Sequence, residues 1–230
     1  MKYPTSGEII AKALYNIYGD TAPAASVQEA ALHKFYDCLD RCQRENTFFF
    51  SKQRDTFTIT SGTATYAVIG AIFTATSFGK LGKIYGVSIK QTSPVLLNRL
   101  KRMTAEAYDE YTMNTMTGIP QGYYESYMKD VPADHTISLW PTPSTNLTGI
   151  IYYKRIYLPE DWTDLEYAHY ILDELCDYLV HRVTAELCAD AQLKEKAANH
   201  FDMAANYLKS VRARSDDYWT QDNEGRIKPQ

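Results

Sequence analysis

The stretch ISLWPTPSTNLTGIIYYK, residues 137–154, contains two apolar segments separated by prolines and a polar turn. Apolar and polar residues alternate over Ile137–Leu139, which is the pattern of a strand with one buried face. Pro141 and Pro143 cannot donate to a strand ladder, so this strand is expected to end at Trp140. A second apolar segment begins at Leu147. The stretch therefore predicts an antiparallel hairpin whose first strand ends in a tryptophan.

The same two-residue period occurs earlier, in a region rich in threonine. Residues alternate over Thr56–Thr60 and again over Thr63–Val68, with Ser61-Gly62 between them. A two-residue loop that contains glycine, placed between two such segments, predicts a second hairpin. A further strand is expected at Tyr85–Ile89, and a short helix near Val95–Met103.

Two helices are predicted before the strands. Thr5-Ser6-Gly7-Glu8 has the form of a capping box, and Gly19 follows the last apolar position of the helix that it would open. Ser26-Val27-Gln28-Glu29 has the same form and precedes apolar residues spaced by three and four. The connector between the two helices is short, so we expect an antiparallel helical hairpin over residues 5–46.

The last third of the chain is again helical in pattern. Thr163-Asp164-Leu165-Glu166 is a third capping-box candidate, and apolar residues then recur at helical spacing as far as Val183. Another helix is expected from Asp190, with its last apolar position at Val211. The pattern stops at Ser215, and the polar residues that follow predict an extended tail.

Helices, strands and helices occupy separate blocks of the chain, which predicts an α+β fold. We expect one domain over residues 1–214, built as a helical bundle. The N-terminal helical hairpin (5–46) and two long C-terminal helices (163–213) would form that bundle. An antiparallel β-hairpin region would be inserted at 47–158, and residues 215–230 would form the extended C-terminal tail.

Composition excludes several classes of protein. The chain has 230 residues, of which 45% are hydrophobic and 23% charged, as in a folded globular protein. Its net charge of −4 argues against a dedicated nucleic-acid binder, because such proteins carry a basic face for phosphates. No apolar run approaches the ~20 residues of a membrane span. The first eight residues lack the apolar segment of a secretion signal, so secretion by that route is not expected.

Motifs that carry chemistry are absent from the sequence. The four cysteines do not match a common metal-ligand spacing, and neither a phosphate-binding loop nor a serine-nucleophile motif occurs. Carboxylates are abundant, but nothing selects an acid–base pair among them. We therefore expect no enzyme activity, no catalytic residue, no cofactor and no metal.

Five segments, taken in order, resemble the head-to-tail adaptor family of short-tailed double-stranded DNA bacteriophages. Each is similar to a motif of that family, and together they extend over nearly the whole chain. The segments are Tyr3–Ile10, Phe57–Tyr66, Gly118-Ile119-Pro120 with Tyr123-Tyr124, Ile137–Pro143, and Tyr152, Asp161 and Tyr167 before a long helix. The segment from Val68 to Arg102 departs from the family pattern, being longer and richer in glycine and lysine.

The resemblance implies a structural virion protein, assembled in the host cytoplasm and located at the head–tail junction. In the family, usually twelve copies form a ring below the portal, the DNA passes through without specific binding, and tail proteins attach downstream. The C-terminal tail would bind the portal, with Asp216, Tyr218, Trp219 and Arg226 as candidate contacts. Trp140, Tyr152 and Tyr153 are candidate contacts to a neighbouring subunit or to the tail.

Two other functions stay open on the sequence. Some members of the family are linked to cell-wall degradation, so a virion-associated peptidoglycan hydrolase is one alternative. Another ring or completion protein of the tail is the second. Binding to the portal before any tail component is present would distinguish an adaptor from the latter.

Overall fold

A computed structural model describes residues 3–20, 23–68, 80–92, 95–112, 116–126, 135–159 and 161–223. The chain divides into two compact units. The helical unit comprises Met1–Ser51, Ser77–Gly79 and Ile156–Gln230, and the sheet unit comprises Lys52–Thr76 and Lys80–Arg155. Each unit has its own buried apolar cluster.

The elements are numbered in chain order over the described residues. The helices are α1 (Ser6–Tyr18), α2 (Ala25–Glu45), α3 (Ala105–Thr112), α4 (Tyr170–Asp190) and α5 (Lys194–Asn223), with a short 3-10 turn at Phe49–Ser51. The strands are β1 (Lys52–Ile59), β2 (Thr65–Ala67), β3 (Lys80–Thr92), β4 (Val95–Arg99), β5 (Lys101–Arg102), β6 (Thr117–Gly118), β7 (Gly122–Ser126), β8 (Thr136–Trp140), β9 (Thr142–Pro143) and β10 (Leu147–Ile156).

Both ends of α1 follow the local sequence signals. The Thr5 hydroxyl accepts a hydrogen bond from the Glu8 backbone N–H, and the Glu8 carboxylate accepts one from the Thr5 N–H, so the predicted capping box is confirmed. Gly19 ends the helix with a φ of 69°, a left-handed conformation that glycine adopts without a steric penalty. Ile9, Ile10 and Leu14 make up the buried face.

The other two predicted capping boxes are wrong. Helix α2 begins after Ala24, two residues before the predicted cap Ser26, and the Gln28 side chain instead donates to the carbonyl of Pro23. Helix α4 begins after His169 rather than at Thr163. Carboxylates of Asp161 and Asp164 accept hydrogen bonds from backbone N–H groups two residues ahead, and such local bonds compete with helix formation.

Helices α4 and α5 form an antiparallel hairpin, closed by a tight turn in which Gln192 has a φ of 60°. Helix α4 also packs against α1 and α2. Helix α5 continues to Asn223, so the predicted extended tail is wrong for residues 215–223, and the rest of that prediction, residues 224–230, lies outside the described residues. The turns past Ser215 lack the apolar stripe used to predict the helix, and they propagate from a helix that is already packed.

Gln43 of α2 holds the chain that enters the helical unit near Tyr157. Its side chain is fully buried. The Gln43 Nε2 donates to the Tyr157 carbonyl at 2.9 Å, and its Oε1 accepts from the Tyr157 N–H at 2.7 Å. The amide thus pairs with the Tyr157 backbone as a neighbouring strand would, and it satisfies two groups that are costly to bury alone.

The sheet unit contains two four-stranded sheets among its described residues. One has the strand order β1-β10-β3-β4 and the other β2-β8-β7-β5, while β6 and β9 form a separate pair. Buried side chains from both larger sheets form one core cluster, which includes Phe57 and Ile151 of the first sheet and Tyr66 and Ile137 of the second. The sheets therefore pack face to face, as in a sandwich.

Neither predicted hairpin forms, although its strands and turns exist. Strand β1 pairs with β10 and β2 pairs with β8, so the turn at Gly62 leads from one sheet to the other. The prolines after Trp140 mark a second such passage, because β8 belongs to one sheet and β10 to the other. Sequence alternation locates a strand, but the partner of that strand depends on distant residues.

The two segments that connect one sheet to the other, at residues 60–64 and 141–146, are hydrogen-bonded to each other. The Gly62 N–H donates to the Pro143 carbonyl at 2.8 Å, and the Ser61 N–H donates to the Asn146 Oδ1 at 2.9 Å. Gly62 has a φ of 80°, which favours glycine at this turn. These bonds tie together segments about eighty residues apart in the chain.

The fold is α+β, but the description as a helical bundle with an inserted hairpin region is wrong. The strands form a sandwich that has its own hydrophobic core. They therefore make up a second compact unit rather than an insertion into the helical one. The physical reason is that strands of both sheets carry buried apolar side chains, and two packed sheets bury those side chains against each other.

Candidate interaction surfaces

The predicted portal contacts lie at and beyond the end of α5. Val211 and Ser215 are buried, and the Ser215 hydroxyl accepts a hydrogen bond from the Phe49 N–H at 3.4 Å. Asp216, Tyr218 and Trp219 lie on the last turns of the helix, and the structure describes only their backbone. Arg226 lies outside the described residues. Residues 216–223 extend the helix by about 12 Å beyond Ser215.

Trp140 ends β8 beside the helix α3. Its ring centroid lies 4.4 Å from that of Tyr111, and its indole Nε1 is buried without a hydrogen-bond partner among the described residues. The two rings line a groove of about 400 Å³, together with Arg102, Met103 and Gly122. Trp140 thus packs on α3 from the same chain, on a surface that is partly open.

The two tyrosines predicted with Trp140 have different surroundings. Tyr152 is half-buried on β10, at the position paired with Arg54 of β1. Tyr153 is 2% exposed, and its hydroxyl donates to the Asp55 carboxylate at 2.6 Å. The Tyr153 ring therefore belongs to the core of the sheet unit, and only Tyr152 retains an exposed portion.

A polar chain links β5, β7 and the residue before β8. The Arg102 guanidinium donates to one oxygen of Glu125 at 2.7 Å, and the other oxygen lies 3.0 Å from the His135 Nε2. Glu125 and His135 are largely buried, whereas Arg102 is half exposed. The Arg102 guanidinium offsets the charge of the buried carboxylate, and the two contacts fix three segments of one sheet.

The outer edge of β4 is an exposed surface that the sequence analysis missed. Leu96 is 47% and Leu97 is 54% exposed, although both lie in a strand. Arg99 and Lys101 follow them and are also exposed. A groove of about 480 Å³ runs beside this edge and is lined by Leu97, Arg99 and Ile119 among others. This edge surface, Leu96, Leu97, Arg99 and Lys101, is apolar at one end and cationic at the other.

A short helix was expected near Val95–Met103, and that prediction is wrong. Strands β4 and β5 occupy this segment, and β4 pairs with β3 from Thr92↔Val95 to Ser88↔Arg99. The run Val95-Leu96-Leu97 is too short for its period to distinguish a helix from a strand. Pairing with the long strand β3 decides the outcome.

Helix α3 presents the opposite charge. Glu106, Asp109 and Glu110 are exposed and lie on one face, at spacings of three and four residues. Hydrogen bonds from its own N–H and from Thr104 lower the pKa of Glu106, so it is charged at neutral pH. The opposite face carries Tyr108, whose ring stacks on Tyr124 at 5.3 Å. This acidic surface is therefore held on the sheet by aromatic contacts.

In the described part of the chain, no three histidine, cysteine or acidic side chains are arranged to hold a metal ion. Burial raises the pKa of Cys38 to about 11 and that of Cys42 to about 12, and it also raises those of Cys176 and Cys188. These thiols are protonated at neutral pH, so they are poor nucleophiles.

A histidine pair joins α4 to α5. The Nδ1 atoms of His181 and His200 lie 2.9 Å apart, and the Tyr207 ring stacks on His181. Burial lowers the pKa of both imidazoles, and the charges of His181 and Lys196 lower that of His200 further. Asp177 opposes the effect at His181. The contact therefore favours neutral rings.

We expect the helical unit to lose stability in acid through this pair. A histidine whose pKa is lowered by folding stabilises the protein fully above the unfolded value of about 6.5, and the contribution is lost as the pH falls through the folded value. His200→Gln should show a smaller decrease in melting temperature between about pH 7.5 and pH 5 than the wild type. His33→Gln, at an exposed position on α2, is the control and should decrease as the wild type does. An unchanged decrease in His200→Gln would contradict this assignment.

Comparisons with known proteins give one finding. The family profile described as SU10 adaptor protein matches residues 4–226. A comparison with curated proteins found no match. Within the described ranges, the helices do not combine the length and apolar character needed to cross a membrane.

Proposed function

Because the chain belongs to the SU10 adaptor protein family, we propose that it is a head-to-tail adaptor, a ring-forming protein bound below the portal of a short-tailed bacteriophage. Family membership makes it a bacteriophage adaptor and a structural component of the virion. The match over residues 4–226 is the observation that carries the proposal, since it includes both units and most of the C-terminal end.

The portal contact is assigned to the end of α5. The helix is anchored by Val211 and Ser215 and then continues to Asn223, which would present Asp216, Tyr218 and Trp219 on a preformed scaffold. Arg226 follows the helix in the sequence. Aromatic residues and arginine dominate binding energy at interfaces, and a helical scaffold lowers the entropy lost on binding.

The ring is proposed to pass DNA without holding it. Each chain carries a net charge of −4, which amounts to about −48 for a ring of twelve copies. Negative walls repel phosphates, whereas a basic lining would bind the duplex through release of counterions. Downstream tail proteins would attach to the completed ring.

Mixing the purified chain with the portal protein of the same phage tests the proposed function. We expect the portal to bind several copies, about twelve at saturation, before any tail component is added. Native mass spectrometry of the chain alone, of the portal alone and of the mixture measures the stoichiometry. A chain that is monomeric without portal is compatible with the proposal, because assembly on a template does not require a stable free ring.

Two results would contradict the adaptor function. The first is that no complex with portal forms even when the chain is in large excess over portal. The second is binding only after other tail proteins have been added, which would indicate a tail ring or completion protein instead. Cleared zones in a peptidoglycan gel would separately support the hydrolase alternative.

A further inference from the structure

We propose that the acidic surface of α3 in one copy of this chain covers the edge surface of β4 in a second copy. Neighbouring copies would thus join through two different surfaces of the sheet unit. The inference rests on the proposed function, because it takes copies to lie side by side on the portal.

The edge of β4 requires a cover. Strand β4 is the outer strand of its sheet, with β3 as its neighbour, and Leu96 and Leu97 are about half exposed. An outer strand with apolar side chains is prone to pair with other chains unless something protects it. Covering by a helix is one of the ways in which proteins protect such edges. In the described part of the sheet unit, helix α3 packs mainly against β7 and β8 of the other sheet.

The charges beside this edge have no anionic partner among the residues that the structure describes. Neither Arg99 nor Lys101 makes an ion pair with any residue that the structure describes, whereas the neighbouring Arg102 is paired with Glu125. Arg99 lies over Gly86, where it leaves its charge at the surface. The edge therefore combines an apolar segment with two cations available to an acidic partner.

Helix α3 has the complementary character. Glu106, Asp109 and Glu110 have no cationic partner within the described residues, and like charges at this spacing destabilise a helix. Tyr111 lies on the other side of the helix, where its ring contacts Trp140 of the same chain, so the exposed face of α3 carries the three acids. This acidic face matches the two cations of the edge, and opposite potentials favour both the rate and the register of association.

The two surfaces are also similar in length, and a contact between them is of the type that can form a ring. Helix α3 has 8 residues and is about 12 Å long, and β4 has 5 residues and is about 17 Å long. Because the two surfaces are different, each copy would contact one neighbour through α3 and the other neighbour through β4. Such a head-to-tail contact generates a closed ring when its rotation closes.

Two charge-reversal variants test the interface. The edge variant carries Arg99→Glu and Lys101→Glu, and the helix variant carries Asp109→Lys and Glu110→Lys. For each variant, the concentration at which the full ring forms on portal should be at least about tenfold higher than for the wild type. The reason is that like charges then meet at every contact between subunits. An equimolar mixture should recover the wild-type stoichiometry, since the acidic edge of one variant then meets the basic helix of the other.

Controls separate this interface from general effects of charge or folding. Lys83→Glu reverses an exposed charge on β3, outside the segment of β3 that pairs with β4, and should assemble as the wild type does. Thermal melting of each variant shows whether it is folded. As a second measurement, chains with Leu97→Cys and chains with Glu110→Cys are mixed on portal with a bis-maleimide. A covalent dimer that contains one chain of each kind is expected, and wild-type chains give the background from native cysteines.

The outcomes are distinguishable. If wild-type chains fail to assemble on portal, the adaptor function fails and the interface with it. If they assemble and either variant assembles equally well, or Lys83→Glu is equally impaired, only the interface is overturned. Folded variants that are impaired singly and not restored by mixing also overturn it, since the two surfaces would then face portal or tail proteins rather than each other.

Discussion

A chain that ends at Ser215 is expected to bind portal at least about 100-fold more weakly than the full chain, with its melting temperature unchanged. The end point matters, because Ser215 is buried and bonded to Phe49, whereas the proposed contacts Asp216, Tyr218 and Trp219 come after it. Removing them deletes the proposed anchors without opening the core. Titration of labelled portal measures the dissociation constant.

A double substitution tests which side chains cause the loss of portal binding. Tyr218→Ala with Trp219→Ala should reproduce most of the loss. Met203→Ala removes an apolar side chain that is 44% exposed on the same helix, and it should leave portal binding unchanged. Equal affinities for the full and shortened chains would show that the portal contact lies elsewhere on the molecule.

Gln43→Leu is expected to lower the free energy of unfolding by about 2–6 kcal/mol. Leucine has a similar volume, so the packing is nearly kept, but it can neither accept from the Tyr157 N–H nor donate to the Tyr157 carbonyl. Each buried group that loses its partner costs about 1–3 kcal/mol. Denaturant unfolding followed by circular dichroism measures the change.

A matched glutamine on the same helix provides the control. Gln28 also donates from its side chain to a backbone carbonyl, but at an exposed site where water can replace the bond. Gln28→Leu should therefore change stability by less than about 1 kcal/mol. Gln43→Glu should lose less stability at acidic pH than at neutral pH, relative to the wild type at each pH, because only the protonated carboxyl can donate. Similar losses at positions 28 and 43 would refute the role of the buried bonds.

Family membership was accessible from the sequence, because the resemblance depends on the order of several short motifs. The match over residues 4–226 confirms it. The local architecture of these motifs was only partly predictable. The turn at Gly62 and the strands on either side of it exist, yet the strands belong to different sheets.

The candidate surfaces were less predictable than the family. Trp140 was identified from its position before two prolines, but its contact with Tyr111 joins residues almost thirty positions apart. The edge surface of β4 was missed because its exposed leucines resemble core residues in composition. Only the strand order shows that they lie at an outer edge. Gln43 has no distinguishing pattern, since its role depends on a backbone segment 114 residues away.

The sequence by itself determined those features whose causes lie within about one helical turn. The capping box at Thr5 and Glu8, the end of α1 at Gly19 and the turn at Gly62 all arise from side chains and backbone angles of adjacent residues. The tertiary structure alone decided which strands pair and which apolar residues remain exposed. Those outcomes depend on burying faces against distant partners, and a local pattern of side chains does not specify the partner.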